Sequence, residues 1–161
     1  MKQMNMVKKI KYSLVALAGV FIFSACGTTQ TVPITGRKHS LLVSDAEVLS
    51  LSKSEYAKYM QTAKRSTDAA STAMVQRVGR RLANAVEDYL RSHGAADEVN
   101  NFDWEFNLVA DKNVNAFCMP GGKIVVYEGL LPITKNETAL AIVLGHEIAH
   151  AVARHSAERL S

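Results

Sequence analysis

The period of the apolar positions changes twice along the chain, and those changes divide it into elements. From Ser44 to about Arg65, Val48, Leu51, Tyr56, Tyr59 and Met60 mark an inward helical face, and Ser44 with Glu47 forms a capping box that opens the helix. A break at 66–71 leads to a second helix, from about Thr72 to His93. Its apolar stripe is Val75, Val78, Leu82, Ala85, Val86 and Tyr89, and Gly94 supplies the stop. The period then falls to two. Phe102, Trp104, Phe106 and Leu108 alternate with polar residues, which predicts a half-buried strand over 102–110. Gly121-Gly122 turns the chain into a second strand, Lys123-Ile124-Val125-Val126-Tyr127. The last segment, built on Leu140, Val143, Leu144, Ile148 and Val152, is apolar nearly all round and predicts a buried helix, with Thr134 and Glu137 as its capping box. Helix, helix, strand, strand, helix without βαβ alternation is an α+β fold: a helical N-terminal half, a small β-sheet or hairpin, then a buried helix.

That final helix carries the chemistry. His146-Glu147-Ile148-Ala149-His150 places two imidazoles at i and i+4, about 40° apart around a helix and roughly 6 Å apart along it, so both can reach one metal ion. Glu147 lies about 100° from His146, near enough to take a proton from water activated there. Two histidines and a glutamate without partners would be costly in an apolar helix, which favours a metal site over coincidence.

Charge and composition locate the rest of the chain. Of 19 basic residues, Lys2, Lys8, Lys9 and Lys11 precede Cys26, leaving 15 basic against 15 acidic beyond it. A domain of zero formal net charge lacks the basic footprint that nucleic acid or an anionic membrane surface requires. The lysine-rich start, an apolar stretch from Tyr12 to Ala25 and the small residues after it read as an export signal too short to span a bilayer comfortably. The expected organisation is a signal over 1–25, a Thr-, Gly- and Pro-rich tether over 26–43, and a domain over 44–161. Phe23-Ser24-Ala25-Cys26-Gly27 is similar to a bacterial lipoprotein signal, which implies lipidation of Cys26; an ordinary cleaved signal and an uncleaved anchor are the competing readings. With Cys26 lipidated, Cys118 has no disulfide partner and reads as a small buried residue, a thiolate ligand being the alternative.

Three blocks together carry a family resemblance. Asn115-Ala116-Phe117-Cys118-Met119-Pro120-Gly121-Gly122-Lys123-Ile124, Gly129-Leu130-Leu131, and the run from His146 to His155 resemble the gluzincin zinc endopeptidases of the HtpX and CAAX prenyl protease (Ste24-like, Oma-like) family. Pro33-Ile34-Thr35-Gly36-Arg37 with Leu41-Leu42-Val43-Ser44 is similar to its lipid-anchored bacterial periplasmic branch. The resemblance spans 33–161, and Cys118 stands where the family usually has Ala. It implies one Zn2+ held by His146 and His150, Glu147 as general base, and hydrolysis of internal peptide bonds in protein or peptide substrates, misfolded or envelope proteins among them. It also implies a quality-control role in the bacterial cell envelope, with the domain facing the periplasm or the exterior. Substrate is expected to add a strand beside Lys123, Ile124, Val125, Val126 and Tyr127.

The family's third ligand is a glutamate on a later helix, and the sequence to Ser161 offers no such region. His155 points about 140° away from His150, and Glu158 lies about 12 Å further along a continuing helix. Asp111 and Glu128 are placed by no pattern. The expectation is therefore a C-terminally truncated protease. The alternatives are a lipoprotein that binds envelope proteins without cutting them, its metal site incomplete, and a structural lipoprotein whose helix carries the motif by chance. Arg154, His155 and Glu158 offer one reading as a support network near the site; the favoured account of Arg154 and Glu158 is solvated helix residues, and His39 and His93 are positions without a special role.

Overall fold

A computed structural model describes residues 28–31, 38–41 and 44–154, with side chains described over 44–154. Within the stretch expected to be a tether, β1 (Thr28–Thr31) pairs antiparallel with β2 (Lys38–Leu41), Thr28 opposite Leu41. The β-branched threonines that suggested a linker also suit extended pairing. The expected signal, Cys26, His155 and Glu158 lie outside the described residues.

Helix α1 (Asp45–Thr62) opens on the predicted capping box: the Ser44 Oγ accepts the Glu47 N–H, and the Glu47 carboxylate accepts the Ser44 N–H. Val48, Ser52 and Tyr56, one turn apart, are its buried face, while Leu51 is 53% exposed instead of inward. The helix stops short of Arg65 because the chain there bonds to a strand edge. Ser66 N–H reaches Leu108 O and Ala110 N–H reaches Lys64 O. Helix α2 (Ala69–Ser92) begins three residues before Thr72, since Asp68 caps it by accepting the Ser71 N–H at 3.0 Å. It ends as expected at Gly94, at φ +77°, with Ala95 N–H bonded back to Leu90 O. Val75, Val78, Ala83 and Leu90 are buried, but Ala85 and Tyr89 face outward.

Three strands form the central sheet in the order β3 (Glu105–Val109), β5 (Lys123–Tyr127), β4 (Ala116–Met119). β3 runs parallel to β5, and β4 antiparallel to it through a turn whose Gly121 and Gly122 adopt φ +84° and +82°. β5 has the predicted bounds, and β4 has no counterpart in the apolar pattern. β3 is buried on both faces and not on one. Phe106 and Leu108 pack toward α2, while Asn107 is held beneath α1 by the Tyr56 hydroxyl at 2.6 Å. α2 comes this close because Gly79 has no side chain; a Cβ there would lie 2.1 Å from the Phe106 ring.

A short helix α3 (Leu131–Thr134) precedes α4 (Glu137–Val152), and here the expected cap is displaced. Thr134 is buried, and its hydroxyl donates to Leu131 O within the preceding turn. Lys135 takes a left-handed conformation at φ 62°, and Asn136 caps α4 by accepting the Ala139 N–H at 2.9 Å. Leu140, Leu144, Ile148 and Val152 bury one stripe of α4, which packs on α2 and β4. The opposite stripe is open, with Ile142 71% exposed, because no described element covers it. The expected all-round burial of this helix does not hold.

Candidate metal centre

His146 and His150 point their rings at a common place. Their Nε2 atoms are 2.9 Å apart and the rings meet edge to face, with centroids 4.4 Å apart. Two nitrogens on a tetrahedral zinc, at Zn–N of about 2.0–2.1 Å, lie roughly 3.3 Å from each other. The pair is therefore close to the spacing that a single cation imposes, and the i, i+4 spacing on α4 puts both rings on one face. The site is open: His146 is exposed, His150 half-buried, and a side chain added at Gly145 would meet nothing within 4 Å.

Glu147 is half-buried on the side of α4 that meets the sheet. Its charge acts on Cys118 of β4, whose thiol is pushed up to about 12, by burial first and by the Glu147 charge second. Cys118 is a half-buried free thiol. No group of three His, Cys, Asp or Glu side chains able to hold a metal occurs among the described residues. Asp111 instead accepts the Asn113 N–H in the loop after β3. Among the described residues, the donors that converge are two imidazoles.

Two expectations about the surroundings change. Lys123–Tyr127 is the central strand, bonded along one side to β3 and along the other to β4, so it has no free edge for a substrate strand. The outer edge of β3 is partly occupied by Lys64–Ser66, which leaves β4 as the open edge among the described strands. β4 is also the strand on which α4 packs. Arg154 is not a solvated helix residue. Its side chain is 14% exposed and ion-paired with Asp45, at 2.6 Å, and with Glu98. Nothing in the local sequence signals this, because both partners are distant along the chain. His93, as expected, has a local part: it bonds to Tyr89 O and stacks on the Tyr89 ring.

Comparison with known proteins settles the family. The model of peptidase family M48 matches residues 69–161, more than half of the chain. The chain belongs to that family. The fission-yeast protein named mitochondrial metalloendopeptidase OMA1 is 49% identical over 67 residues, covering 42% of this chain and 20% of its own length. The human metalloendopeptidase OMA1 is 32% identical over 127 residues, covering 79% of this chain and 24% of the human one. A beta-barrel assembly-enhancing protease of Yersinia pestis is 42% identical over 57 residues, 35% of this chain and 12% of that protein. The chain thus spans about a quarter or less of the length of these relatives. Within this M48 chain no helix of the described residues is long and apolar enough to cross a membrane.

Proposed function

We propose that the chain is part of a zinc-dependent endopeptidase in which His146 and His150 are two of the metal's ligands and Glu147 is the general base. The observation that carries this reading is the convergence of the two Nε2 atoms to 2.9 Å on an open helix face. The third ligand comes from outside the described residues, a downstream glutamate in keeping with the family resemblance. When bound, zinc supplies Lewis-acid polarisation of the scissile carbonyl and a nucleophile at neutral pH.

The chain's own residues do the rest. Glu147 takes a proton from the attacking water and returns it to the leaving amine. An extended substrate lies along the free edge of β4, Ala116–Met119, joined through main-chain hydrogen bonds. Anchorage through lipidated Cys26, exposure to the periplasm or exterior, and envelope quality control belong to the same reading and rest on the sequence resemblance.

Glu147→Gln tests the core of it. In a form of the protein that carries the third ligand, the variant should retain zinc and fold while casein hydrolysis falls by roughly 10²–10⁴-fold. Hydrolysis within a few-fold of the unsubstituted protein would refute the role of Glu147. A second reading is an envelope protein that binds other proteins without cutting them. Zinc uptake without chelator-sensitive cleavage would select it.

A further inference from the structure

The geometry points to Arg154 as a positioning residue for the metal site: it latches the last turn of α4 so that His150 stays aligned with His146. This rests on the reading of the two histidines as ligands. α4 ends at Val152, so His150 lies in its final turn, where helices lose hydrogen-bond partners and fray. His146 sits a full turn further in. Fraying would therefore move one ligand and leave the other in place.

Arg154 is built to prevent that. It is one of two non-glycine residues at positive φ among the described residues, at 58°, a conformation that persists only where surrounding contacts enforce it. Its N–H still bonds to Ala151 O, and the Ala153 N–H to Ala149 O, so the backbone closes the helix immediately before the side chain leaves it. The guanidinium then reaches two separate elements. One arm meets Asp45 in the first turn of α1, and the other meets Glu98 in the turn over Ala96–Asn101. Glu98 is steadied in turn by the Asn101 side chain at 3.1 Å.

The latch borders a pocket lined by Val48, Leu90, Phe102, Pro120 and Val152, so the cation lies over largely apolar surroundings. Both carboxylates hold the guanidinium, and losing either leaves it tied to one element instead of two. The helix end is therefore held by α1 and the turn together, neither of which carries a ligand. Outer residues of this kind typically change metal affinity about 10–100-fold.

The test uses the form of the protein that carries the third ligand. Amide hydrogen exchange is measured without metal, and zinc affinity by competition with a chromophoric chelator well below the unfolding temperature. Arg154→Gln should raise exchange at His150–Ala153 about tenfold or more, leave Ile124–Val126 unchanged, and weaken zinc about 10–100-fold. Asp45→Asn with Glu98→Gln should do the same without touching α4, and adding Arg154→Gln should change little further. A part that is merely structural would lower the unfolding temperature but leave the affinity of the folded protein alone. A folded Arg154→Gln variant with zinc affinity within twofold of the unsubstituted chain, or with unchanged exchange, overturns the latch. If Arg154→Gln does not fold, Asp45→Asn and Glu98→Gln singly decide: a graded loss supports it, and unchanged affinity in both overturns it. Absence of zinc uptake by that form without substitutions would remove the metal reading and the positioning role together, a failure recognisable because it precedes any substitution.

Discussion

The two faces of the central sheet hold their helices in opposite ways. Toward α2 and α4 the contact is apolar: Phe106, Leu108, Ile124 and Val126 meet Val75, Val78, Leu140, Leu144 and Ile148. Toward α1, beside a smaller apolar group of Tyr56, Val109 and Val125, the contact is a polar web. Lys123, 4% exposed, donates to Asp103 O at 2.6 Å, the Asp103 carboxylate at 2.7 Å and the Glu105 carboxylate at 2.8 Å. Tyr56 donates to Glu105, Asn107 to Tyr56, and Arg65 to Asn107. Apolar burial is additive and non-directional, so it fixes the depth of the histidine helix through many small contacts. A polar web depends on each partner, and it fixes the register of α1 against the strands.

The largest effect should come from the apolar face. Leu144, fully buried and two positions before His146, loses its transfer free energy and leaves a cavity when truncated. Leu144→Ala should destabilise the protein by about 2–5 kcal/mol, read from the urea midpoint at an unchanged slope. A loss under about 1 kcal/mol would mean that α4 settles freely onto the sheet, and the contrast between the faces would fail.

The same contrast explains what could be read from the sequence. Features fixed by neighbours in the chain were legible: the Ser44–Glu47 cap, the stop at Gly94, the bounds of β5, and the spacing that brings His146 to His150. Features fixed by distant partners were not. Asn107 and Glu105 pattern as solvent-facing, yet their partners Tyr56 and Lys123 come from elsewhere in the chain. β4 escaped notice because Ala116-Phe117-Cys118-Met119 is half-buried throughout and shows no alternation. Without β4, the central strand passed for an edge, although it is bonded along both sides. The Thr134 cap failed for a local reason, since Asn136 competed for the same turn and offered the better acceptor. The approach of His146 to His150, set by helix geometry, was legible, whereas the ion pairs of Arg154, set by tertiary contacts, were not.

An intermediate effect should come from the polar face. Lys123→Met keeps the stem and removes the charge. Asp103 and Glu105 side chains remain 83% and 44% exposed, so water can take the lysine's place and the loss should be only about 1–2 kcal/mol at neutral pH. Its pH dependence is more telling. The hydrogen bond from Lys123 holds the Glu105 carboxyl below its ordinary value of 4.5. The resulting stability is complete above that value and disappears as pH falls through the lower folded value. On Lys123 itself, burial opposes the charge, but the bonds to Asp103 and Glu105 outweigh it and raise the pKa above 10.5. That contribution is present below 10.5 and fades as pH rises through the folded value. In Lys123→Met, stability measured against pH should lose part of its acid limb and part of its alkaline limb. Limbs identical to those of the unsubstituted protein would show that the web contributes no net ionic stability.

The smallest effect should come from a surface ion pair that ties α4 to α2. Arg77 on α2 pairs with Glu137, the first residue of α4, and the two side chains are 53% and 41% exposed. Exposed pairs gain little, because water solvates each partner nearly as well as the other partner does. Glu137 would moreover keep a favourable place at the helix N-terminus without Arg77, where the backbone N–H groups favour negative charge. Arg77→Met should therefore leave the urea midpoint unchanged within error. The Glu137 carboxyl, held below 4.5 chiefly by the Arg77 hydrogen bond, should move up toward its ordinary value in an NMR titration. The two readings separate electrostatic contact from mechanical support. A clear drop in the midpoint would make the N-terminal end of α4 depend on charge as its C-terminal end does at Arg154, and the apolar stripe between them would no longer suffice to hold the helix.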